Sequence, residues 1–328
     1  MSVISSRAPL RVSLGGGGTD LPSYYREYGG FLVSGAIDKY VYMLTHTVFQ
    51  RRYLMKYAQT EVVDDISEIR HPILREALLR YWRGVPLEIA SVADVPAGTG
   101  LGSSGAFAVC VLKSLAHARS TSITPSALAE AASEIEIDVL NEPVGKQDTY
   151  VAAHGGICSY TFNRDGTVDV VPLELEPETL RGLRENLLLF YTGDARAASA
   201  VLADQDERSR RGDKEMLANL HRTKEMGYGS RDLLLAGDLD SFGELMHEHW
   251  ENKRVRSPGM RSDRIDTLYT LARRSGAVGG KLVGAGGGGF LLVYTPRPSD
   301  TRQAMAAAAS QELVFDFEFG GAYASLHG

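Results

Sequence analysis

The chain has 328 residues, of which 44% are hydrophobic and 23% charged, and its formal net charge is −6. This length predicts one large or two moderate domains, with enough apolar material for a sizeable core. The acidic balance argues against nucleic acid as the main partner, because such binding rests on the neutralisation of phosphates by basic side chains.

The cysteine and hydropathy patterns predict a cytoplasmic protein. Cys110 and Cys158 are the only cysteines, too few for a disulfide framework or a metal quartet. No apolar run reaches the roughly 18 residues of a transmembrane helix, and the first residues lack the long apolar stretch of a signal peptide. We therefore expect no membrane partner, and the pattern indicates no particular oligomeric state.

In chain order, hydrophobic periodicity predicts alternating groups of strands and helices. Runs rich in β-branched and aromatic residues predict strands at 10–14, 31–49, 86–95, 155–162, 168–175, 186–193, 288–295 and 314–319. Helical spacing predicts helices at 71–82, 106–118, 126–140, 264–276 and 301–313, with a long polar helical stretch over 199–249. This order indicates an α+β protein of two lobes, and we expect domains at 1–175 and 176–328.

Three glycine clusters interrupt this pattern, at 15–18, 97–107 (AGTGLGSSGAF) and 281–293 (KLVGAGGGGFLLV). The second and third each contain the GxGxxG pattern of dinucleotide-binding folds, but the acid expected about 20 residues after the second cluster is missing. None ends in Gly-Lys-Ser/Thr as a Walker loop does, and the protein-kinase motifs are missing as well. These observations count against a nucleotide-dependent oxidoreductase, which an NAD(P)H-binding test would identify.

The second glycine cluster has the composition of a phosphate-binding loop. It follows a predicted strand and enters a predicted helix, whose N-terminus offers free N–H groups and a positive partial charge. Ser103 and Ser104 could cap this helix or offer a hydroxyl to Mg²⁺. A tight strand-to-helix turn with a serine cap explains the same residues, so this cluster alone leaves both interpretations open.

Taken together and in this order, the clusters resemble the motifs of the GHMP kinases, the small-molecule kinases that include galactokinase, homoserine kinase and mevalonate kinase. PLRVSLGGGGTD resembles the first motif of the family, VPAGTGLGSSGAF the second and KLVGAGGGGFLLV the third. Between the last two, EPVGKQDTYVAAHGGI resembles the segment that carries the family's catalytic aspartate. The resemblance covers nearly the whole chain.

The resemblance implies a two-lobed α+β fold with the active site in the cleft between the lobes, an ATP-binding domain at 1–175 and a C-terminal domain at 176–328. It implies ATP-dependent phosphorylation of a small-molecule sugar or sugar phosphate with Mg²⁺. A non-catalytic nucleotide-binding module with this fold and a decarboxylase-type relative are the other possibilities, but joint retention of Asp148, Arg11 and Ser104 counts against the first.

Residue by residue, the resemblance assigns roles to matching positions. Asp148 would take or orient the hydroxyl proton, and Arg11 would stabilise charge near it. Mg²⁺ would be held by Ser104 and Glu136. The phosphate loop would consist of Pro96, Gly98, Gly100, Leu101, Gly102, Ser103, Ser104 and Gly105. The sugar would be bound by Gly17, Gly18, Thr19, Asp20, Lys146, Lys253, Arg254, Gly286 and Gly287.

The stretches GGGTDLPSYY and EPVGKQD resemble the branch of heptose phosphate kinases and fucokinases. This implies D-glycero-D-manno-heptose 7-phosphate as acceptor, phosphorylated at its anomeric oxygen, with a fucokinase-like free-sugar kinase as the alternative. The stretch ENKRVRSPGMRSDR gathers Lys253, Arg254, Arg256, Arg261 and Arg264, which suit a phosphate on the acceptor. A solvated helix face is the other interpretation.

Two histidines in the same region carry no functional prediction. His247 and His249 are not at the helix-face spacing of a shared metal site, and we expect both to pack or to face solvent.

Overall fold

The structure is a computed structural model that describes residues 3–49, 51–193, 198–257, 259–260 and 262–327. Within them the chain forms two sheets covered by helices, as the predicted α+β class requires. The strands are β1 (Val3–Gly15), β2 (Gly30–Thr47), β3 (Tyr53–Lys56), β4 (Thr60–Val63), β5 (Leu87–Ala93), β6 (Ile157–Phe162), β7 (Val168–Pro172), β8 (Leu187–Tyr191), β9 (Gly279–Leu282), β10 (Phe290–Tyr294) and β11 (Tyr323–His327). The helices are α1 (Pro22–Tyr28), α2 (Pro72–Tyr81), α3 (Ser103–Ala118), α4 (Pro125–Ser133), α5 (Gln147–His154), α6 (Pro177–Asn186), α7 (Ala198–Arg210), α8 (Lys214–Ala236), α9 (Leu239–Arg254), α10 (Asp263–Arg274) and α11 (Pro298–Ala307).

The larger sheet is built around the long antiparallel pair β1 and β2. Its strand order is β11-β1-β2-β5-β3-β4, with β6 paired to β2 and β7 paired to β6. The first half of β1 alternates in burial, whereas residues 8–15 are continuously buried, because α3, α5 and α8 pack on this part of the strand. The end of β1 therefore delivers the first glycine cluster into the interior of the molecule.

The smaller sheet has the order β8-β10-β9, and helices α9, α10 and α11 contribute to the apolar cluster that covers it. Trp250, Leu268 and Met305 pack in that cluster against strand residues such as Leu291. The strands predicted for 186–193 and 288–295 are present as β8 and β10. β10 is the fully buried central strand of this sheet, and β8 is a largely buried edge strand.

The expected division of the chain at 175/176 falls in the connection between β7 and α6 and stays a prediction. The last strand, β11, returns to pair antiparallel with β1 in the larger sheet. The main apolar core also joins the two parts, since Leu10 and Val12 belong to the same cluster as Leu234 and Phe290.

Two sequence predictions are wrong at the level of elements. Described residues 314–319 form no regular strand, and Phe317 makes only an isolated bridge to Ile37; the terminal strand is β11. The helix predicted for 126–140 changes type, because α4 continues as a π-helical turn, Glu134–Val139. Leu140 N there donates to Ile135 O at 3.0 Å, an i→i+5 bond.

Several short elements escaped prediction. These are α1, the β3–β4 hairpin, α5 and α6, each of ten residues or fewer, where periodicity has little length to act on. The long polar stretch is resolved into α7, α8 and α9, with left-handed Gly237 ending α8. No helix in the described part of the chain is long and apolar enough to cross a membrane.

Candidate active site

A cleft of about 190 Å³ opens where loops from both parts of the chain meet. Its lining comes from the turn after β1, the loop before α3, the start of α5, and two C-terminal segments around residues 253–256 and 281–285. The cleft therefore collects all three glycine clusters and the segment that contains Asp148.

The loop before α3, residues 98–102, is shaped for an anion, and we call it the phosphate loop. Gly98, Gly100 and Gly102 have φ angles of 78°, 84° and 80°, which favour glycine. Gly102 begins α3 without a side-chain cap, so the first N–H groups of the helix stay available. A Cβ on Gly98 would meet no atom within 4 Å. Because an uncapped helix N-terminus attracts anions, this loop fits the phosphates of a nucleotide.

The third glycine cluster packs directly against the phosphate loop. A Cβ on Gly100 would lie 2.5 Å from Val283 O, and one on Gly284 would lie 2.5 Å from Gly100 Cα. A Cβ on Gly289 would lie 2.2 Å from Thr99 O. These glycines therefore allow two backbones to cross in contact, which fixes the phosphate loop from behind.

Arg11 on β1 and Asp148 on α5 form an ion pair at the cleft. Arg11 Nε and Nη2 lie 2.8 Å and 2.7 Å from Asp148 Oδ1, and Nη1 donates to Gly100 O at 2.5 Å. Oδ2 receives no hydrogen bond from any residue that the structure describes. A Cβ on Gly105 would lie 2.7 Å from Asp148 Cβ, so this glycine lets α5 approach α3. Asp148 is thus oriented through one oxygen and leaves the other for a ligand.

Ser104, in the first turn of α3, contacts Glu136 of the π-helical turn that follows α4. Ser104 Oγ donates to Glu136 Oε1 at 2.5 Å, and burial raises the pKa of Glu136 to about 7. No group of three or more His, Cys, Asp or Glu side chains forms a metal cage among the described residues. Mg²⁺ bound with nucleotides needs only one or two carboxylates in addition to phosphate and water oxygens, so a hydroxyl and a carboxylate fit it.

Asp20 lies in the turn after β1 and is held there by backbone amides. Gly18 N donates to Oδ1 at 3.1 Å, and Gln147 N donates to Oδ2 at 3.1 Å. Burial raises the pKa of Asp20 above its ordinary value. Thr19 does not line the cleft as predicted. Its buried Oγ1 lies 2.9 Å from both Gly16 O and Phe31 O, with one proton to share between them, and it accepts from Phe31 N, so that it holds the turn in place.

The C-terminal side of the cleft is basic, and we call Lys253, Arg256, Lys281 and His249 the basic wall. All four line the cleft and are buried. Burial lowers the pKa of Lys281 to about 7 and that of Arg256 to about 10, and it holds the pKa values of Lys253 and His249 well below their ordinary values. None of the three cations forms an ion pair with a described carboxylate.

The structure does not bring Arg254 or Lys146 to the cleft. Arg254 points to the outer surface, where it pairs with Glu251 and Asp266, each at 2.9 Å. Lys146 Nζ donates to Glu130 Oε1 at 2.6 Å and to a backbone carbonyl at 2.7 Å. Neighbouring carboxylates pair with both cations, and neither side chain is among those that line the cleft. Of the remaining basic residues of the 251–264 stretch, Arg264 donates to Ala308 O, and Arg261 lies outside the described residues.

Four predicted loop residues are not among those that line the cleft. Leu101 is fully buried, and Pro96 is exposed with its carbonyl bound to Thr99 Oγ1. Gly286 is packed under Met260, whose Sδ would lie 2.3 Å from a Cβ. Gly287 N donates to Met260 O at 3.4 Å. The third cluster instead contributes Gly284 and Ala285 to the lining.

Several lining residues were missed as functional candidates. Gln147 and Gln205 bracket the Asp20 turn, and Ser13 Oγ is buried with no hydrogen-bond partner among the described residues. His249, expected to pack or face solvent, lines the cleft with Lys281. Ser13, Gln147 and Lys281 lie inside the quoted motifs and Arg256 lies in the basic stretch, whereas Gln205 and His249 carry no sequence signal.

An uncapped helix N-terminus beside an arginine–carboxylate pair is the arrangement of a phosphoryl-transfer enzyme for small molecules. Residues 70–156 match the family model described as GHMP kinases N terminal domain, and residues 230–313 match GHMP kinases C terminal. Together the matches cover slightly more than half of the chain. The chain belongs to the GHMP kinase family and is a phosphotransferase that acts on a hydroxyl group.

Individual relatives agree with this family. The chain is 26% identical to the D-glycero-alpha-D-manno-heptose 7-phosphate kinase of Campylobacter jejuni, over 97% of each protein. It is 27% identical to the bifunctional fucokinase/GDP-fucose pyrophosphorylase of Arabidopsis thaliana, over 87% of this chain and 29% of that protein. The crystal structure of a D-glycero-D-manno-heptose 1-phosphate kinase from Bacteroides thetaiotaomicron has a TM-score of 0.79 at 24% identity, covering 98% of both chains.

Proposed function

We propose that the chain is an ATP-dependent sugar kinase that phosphorylates the anomeric oxygen of D-glycero-D-manno-heptose 7-phosphate, giving the 1,7-bisphosphate for nucleotide-sugar biosynthesis. The observation that carries the proposal is the Arg11–Asp148 pair, which lies beside the uncapped start of α3 and near the Asp20 turn. A hydroxyl bound at that turn would face a phosphoryl group held at α3. The cytoplasmic location stays a prediction.

The chemistry of phosphoryl transfer suits these residues. Its transition state is loose, with charge spread over the phosphoryl oxygens, so that positioning and electrostatic stabilisation supply most of the catalysis. In this proposal Asp148 Oδ2 accepts or orients the proton of the attacking hydroxyl, while Arg11 holds Oδ1 and contributes a permanent positive charge. Arg11 also donates to Gly100 O, which couples the aspartate to the phosphate loop.

We assign the Mg²⁺ of the proposed reaction to Ser104 Oγ and Glu136. When bound there, the ion would neutralise charge that develops on the phosphates. The two side chains share one hydrogen bond, donated by Ser104. Because the pKa of Glu136 is near 7, its carboxyl group can lose its own proton and take a metal instead at neutral pH. Glu136 reaches this position through the π-helical turn that follows α4.

The acceptor is assigned from the relatives and from the cleft. Asp20, the backbone of Gly17 and Gly18, and Gln147 offer polar groups for sugar hydroxyls. The Campylobacter relative is named for heptose 7-phosphate and the Arabidopsis relative for fucose, so a fucokinase-like free-sugar kinase is the second candidate. The basic wall favours the phosphorylated acceptor, because buried cations are costly without an anion.

The test is an ADP-release assay with ATP and Mg²⁺ across a panel of acceptors: the heptose 7-phosphate, the unphosphorylated heptose, mannose, fucose and galactose. The proposal predicts the highest kcat/KM for the heptose 7-phosphate. A higher kcat/KM for fucose would replace it with the second candidate, and ADP release at background with every sugar would reject a sugar acceptor.

A further inference from the structure

Burial lowers the pKa values of Lys253, Arg256 and Lys281, and no carboxylate of the described residues forms an ion pair with them. Lys253, Arg256 and Lys281 are 7%, 4% and 2% exposed, and none lies within 4.0 Å of a carboxylate oxygen in the described part of the chain. A buried charge is costly unless it is paired. Because all three side chains line one cleft, a single bound anion would balance them together.

Hydrogen bonds hold the guanidinium of Arg256 in one orientation without neutralising it. Nε donates to Asn219 Oδ1 at 2.8 Å, Nη2 to Thr223 Oγ1 at 2.6 Å, and Nη1 to Gln205 Oε1 at 3.3 Å. All three acceptors are uncharged. A guanidinium has five N–H donors, so two remain without an acceptor among the described residues. A preoriented fork of this kind suits two oxygens of a phosphoryl group.

Arg256 lies on the acceptor side of the cleft. A Cβ on Gly18 would lie 2.7 Å from Arg256 Nη1, and Gln205 Nε2 donates to Gly18 O at 2.8 Å. The phosphates of the nucleotide already have the uncapped start of α3, whereas Arg256 adjoins the turn that carries Asp20. Its position therefore fits an anion on the acceptor better than one on the nucleotide.

Lys281 and Lys253 line the same cleft as Arg256. Lys281 Nζ lies 3.3 Å from His249 Nδ1, and Lys253 Nζ donates to the carbonyl oxygens of Leu282 and Gly284. These uncharged partners hold both ammonium groups in place. One guanidinium and two amines suit a doubly charged phosphate monoester better than a carboxylate, which carries a single charge.

We propose that Arg256, supported by Lys281 and Lys253, binds a phosphoryl group that the acceptor already carries, and so makes a phosphorylated sugar the preferred acceptor. This inference rests on the proposed function, since it takes the acceptor to lie in the cleft beside Asp20 and Asp148. It assigns the recognition of the phosphate to residues from the end of α9 and from β9, with Arg256 as the specificity-determining side chain.

The first test compares two acceptors that differ only in the phosphate, heptose 7-phosphate and heptose. In Arg256→Gln we expect kcat/KM for the heptose 7-phosphate to fall by about ten- to a hundredfold, the value of one strong charge-assisted contact. We expect kcat/KM for heptose to stay within about threefold. Arg256→Lys keeps the charge and loses the fork, so it should recover part of the loss. The matched control, Arg254→Gln, should change neither value.

An equal loss on both acceptors would overturn the proposal, because Arg256 would then serve the reaction or the fold and not the acceptor's phosphate. No loss on either acceptor would overturn it as well. The melting temperature of each variant identifies a folding defect, and Lys281→Gln provides an independent variant with the same predicted selectivity.

A binding measurement without nucleotide separates this proposal from the proposed function. Heptose 7-phosphate should raise the melting temperature of the wild-type protein more than heptose does, and Arg256→Gln should abolish the difference. If that result appears while no sugar phosphate is turned over, the anion site stands and the proposed reaction fails. If the two ligands raise the melting temperature equally, the anion site fails whatever the turnover.

Discussion

The two sides of the cleft are built by different means. The phosphate loop and the start of α3 use backbone N–H groups supplied by one short glycine- and serine-rich segment, residues 98–105. The basic wall uses side chains that come from α9, the residues after it and β9, which are 25 or more positions apart in places. Local sequence therefore supplies the binding groups of the first side, although the third glycine cluster packs behind them, whereas only the folded chain assembles the second.

The largest effect is expected on kcat, from a change to the carboxylate beside the phosphate loop. Asp148→Asn keeps the shape of the side chain but cannot accept a proton, so kcat should fall by about 10²–10⁴-fold if Asp148 is a general base. Nucleotide affinity should stay within about threefold, because the phosphate loop binds through backbone groups. Steady-state kinetics and nucleotide titration measure the two quantities.

The control for Asp148→Asn is Asp138→Asn, which changes an exposed carboxylate paired only at 3.9 Å and should behave like the wild type. Wild-type turnover by Asp148→Asn at saturating acceptor would show that the carboxylate has no part in the reaction.

The next effect tests whether the glycine clusters support one another. Gly98→Ala and Gly100→Ala both place a Cβ at positive φ, which costs about 1–2 kcal/mol each. At Gly100 the Cβ would also meet Val283 O at 2.5 Å, and such crowding should lower the free energy of unfolding by about 1–3 kcal/mol more. Urea denaturation of the two variants compares them directly. Equal losses would mean that the crossing of the two backbones is unimportant.

These examples show how far the sequence leads. The GHMP resemblance predicts Asp148, Arg11, Ser104 and the glycines at 98, 100 and 102, which line the cleft, because each belongs to a continuous motif. It also predicts Glu136, which contacts Ser104 but is not among the lining residues. It does not predict which cations reach the cleft. Arg254 and Arg256 are two residues apart, and only the ion pairs of Arg254 with Glu251 and Asp266 determine which of them turns outward.

The same limit applies to the fold. The long strand β2 and the short, fully buried strand β10 follow from their apolar runs, whereas β11 pairs with β1 across almost the entire chain. Thr19 shows the limit for a motif residue, since its hydroxyl bonds to Phe31 O, twelve positions away. Partners that are distant in sequence decide these cases, and a single sequence carries little information about them.

Glu136, beside the start of α3, and Lys281, in the basic wall, should change the stability of the protein with pH in opposite directions. Burial raises the pKa of Glu136 from 4.5 to about 7, so its contribution to metal-free stability is complete below about pH 4.5 and is lost as pH rises through 7. Burial lowers the pKa of Lys281 from 10.5 to about 7, so its contribution is complete above about pH 10.5 and is lost as pH falls through 7.

Melting temperatures of metal-free protein from pH 5 to 10 test this contrast. Relative to the wild type, Glu136→Gln should gain stability mainly as pH rises from 5 to 7, and Lys281→Met should gain it mainly as pH falls from 10 to 7. A pH-independent difference from the wild type in either variant would contradict the assignment for that residue.

The smallest effect is expected on the outer surface of α9. Arg254→Gln removes pairs with two carboxylates that are themselves 47% and 34% exposed, and such pairs contribute at most about 1 kcal/mol. We expect kcat/KM for every acceptor to stay within about threefold of the wild-type value. A larger loss of kcat/KM with phosphorylated acceptors alone would show that Arg254, and not Arg256, recognises the phosphate.

The measurement that tests the central claim most directly is phosphorus NMR of the product made from ATP and D-glycero-D-manno-heptose 7-phosphate. The account predicts one new phosphoryl signal, coupled to the anomeric proton, with the 7-phosphate signal retained and one ADP formed for each product. A new phosphoryl signal on any other carbon, or ADP formed without a phosphorylated sugar, would contradict the account.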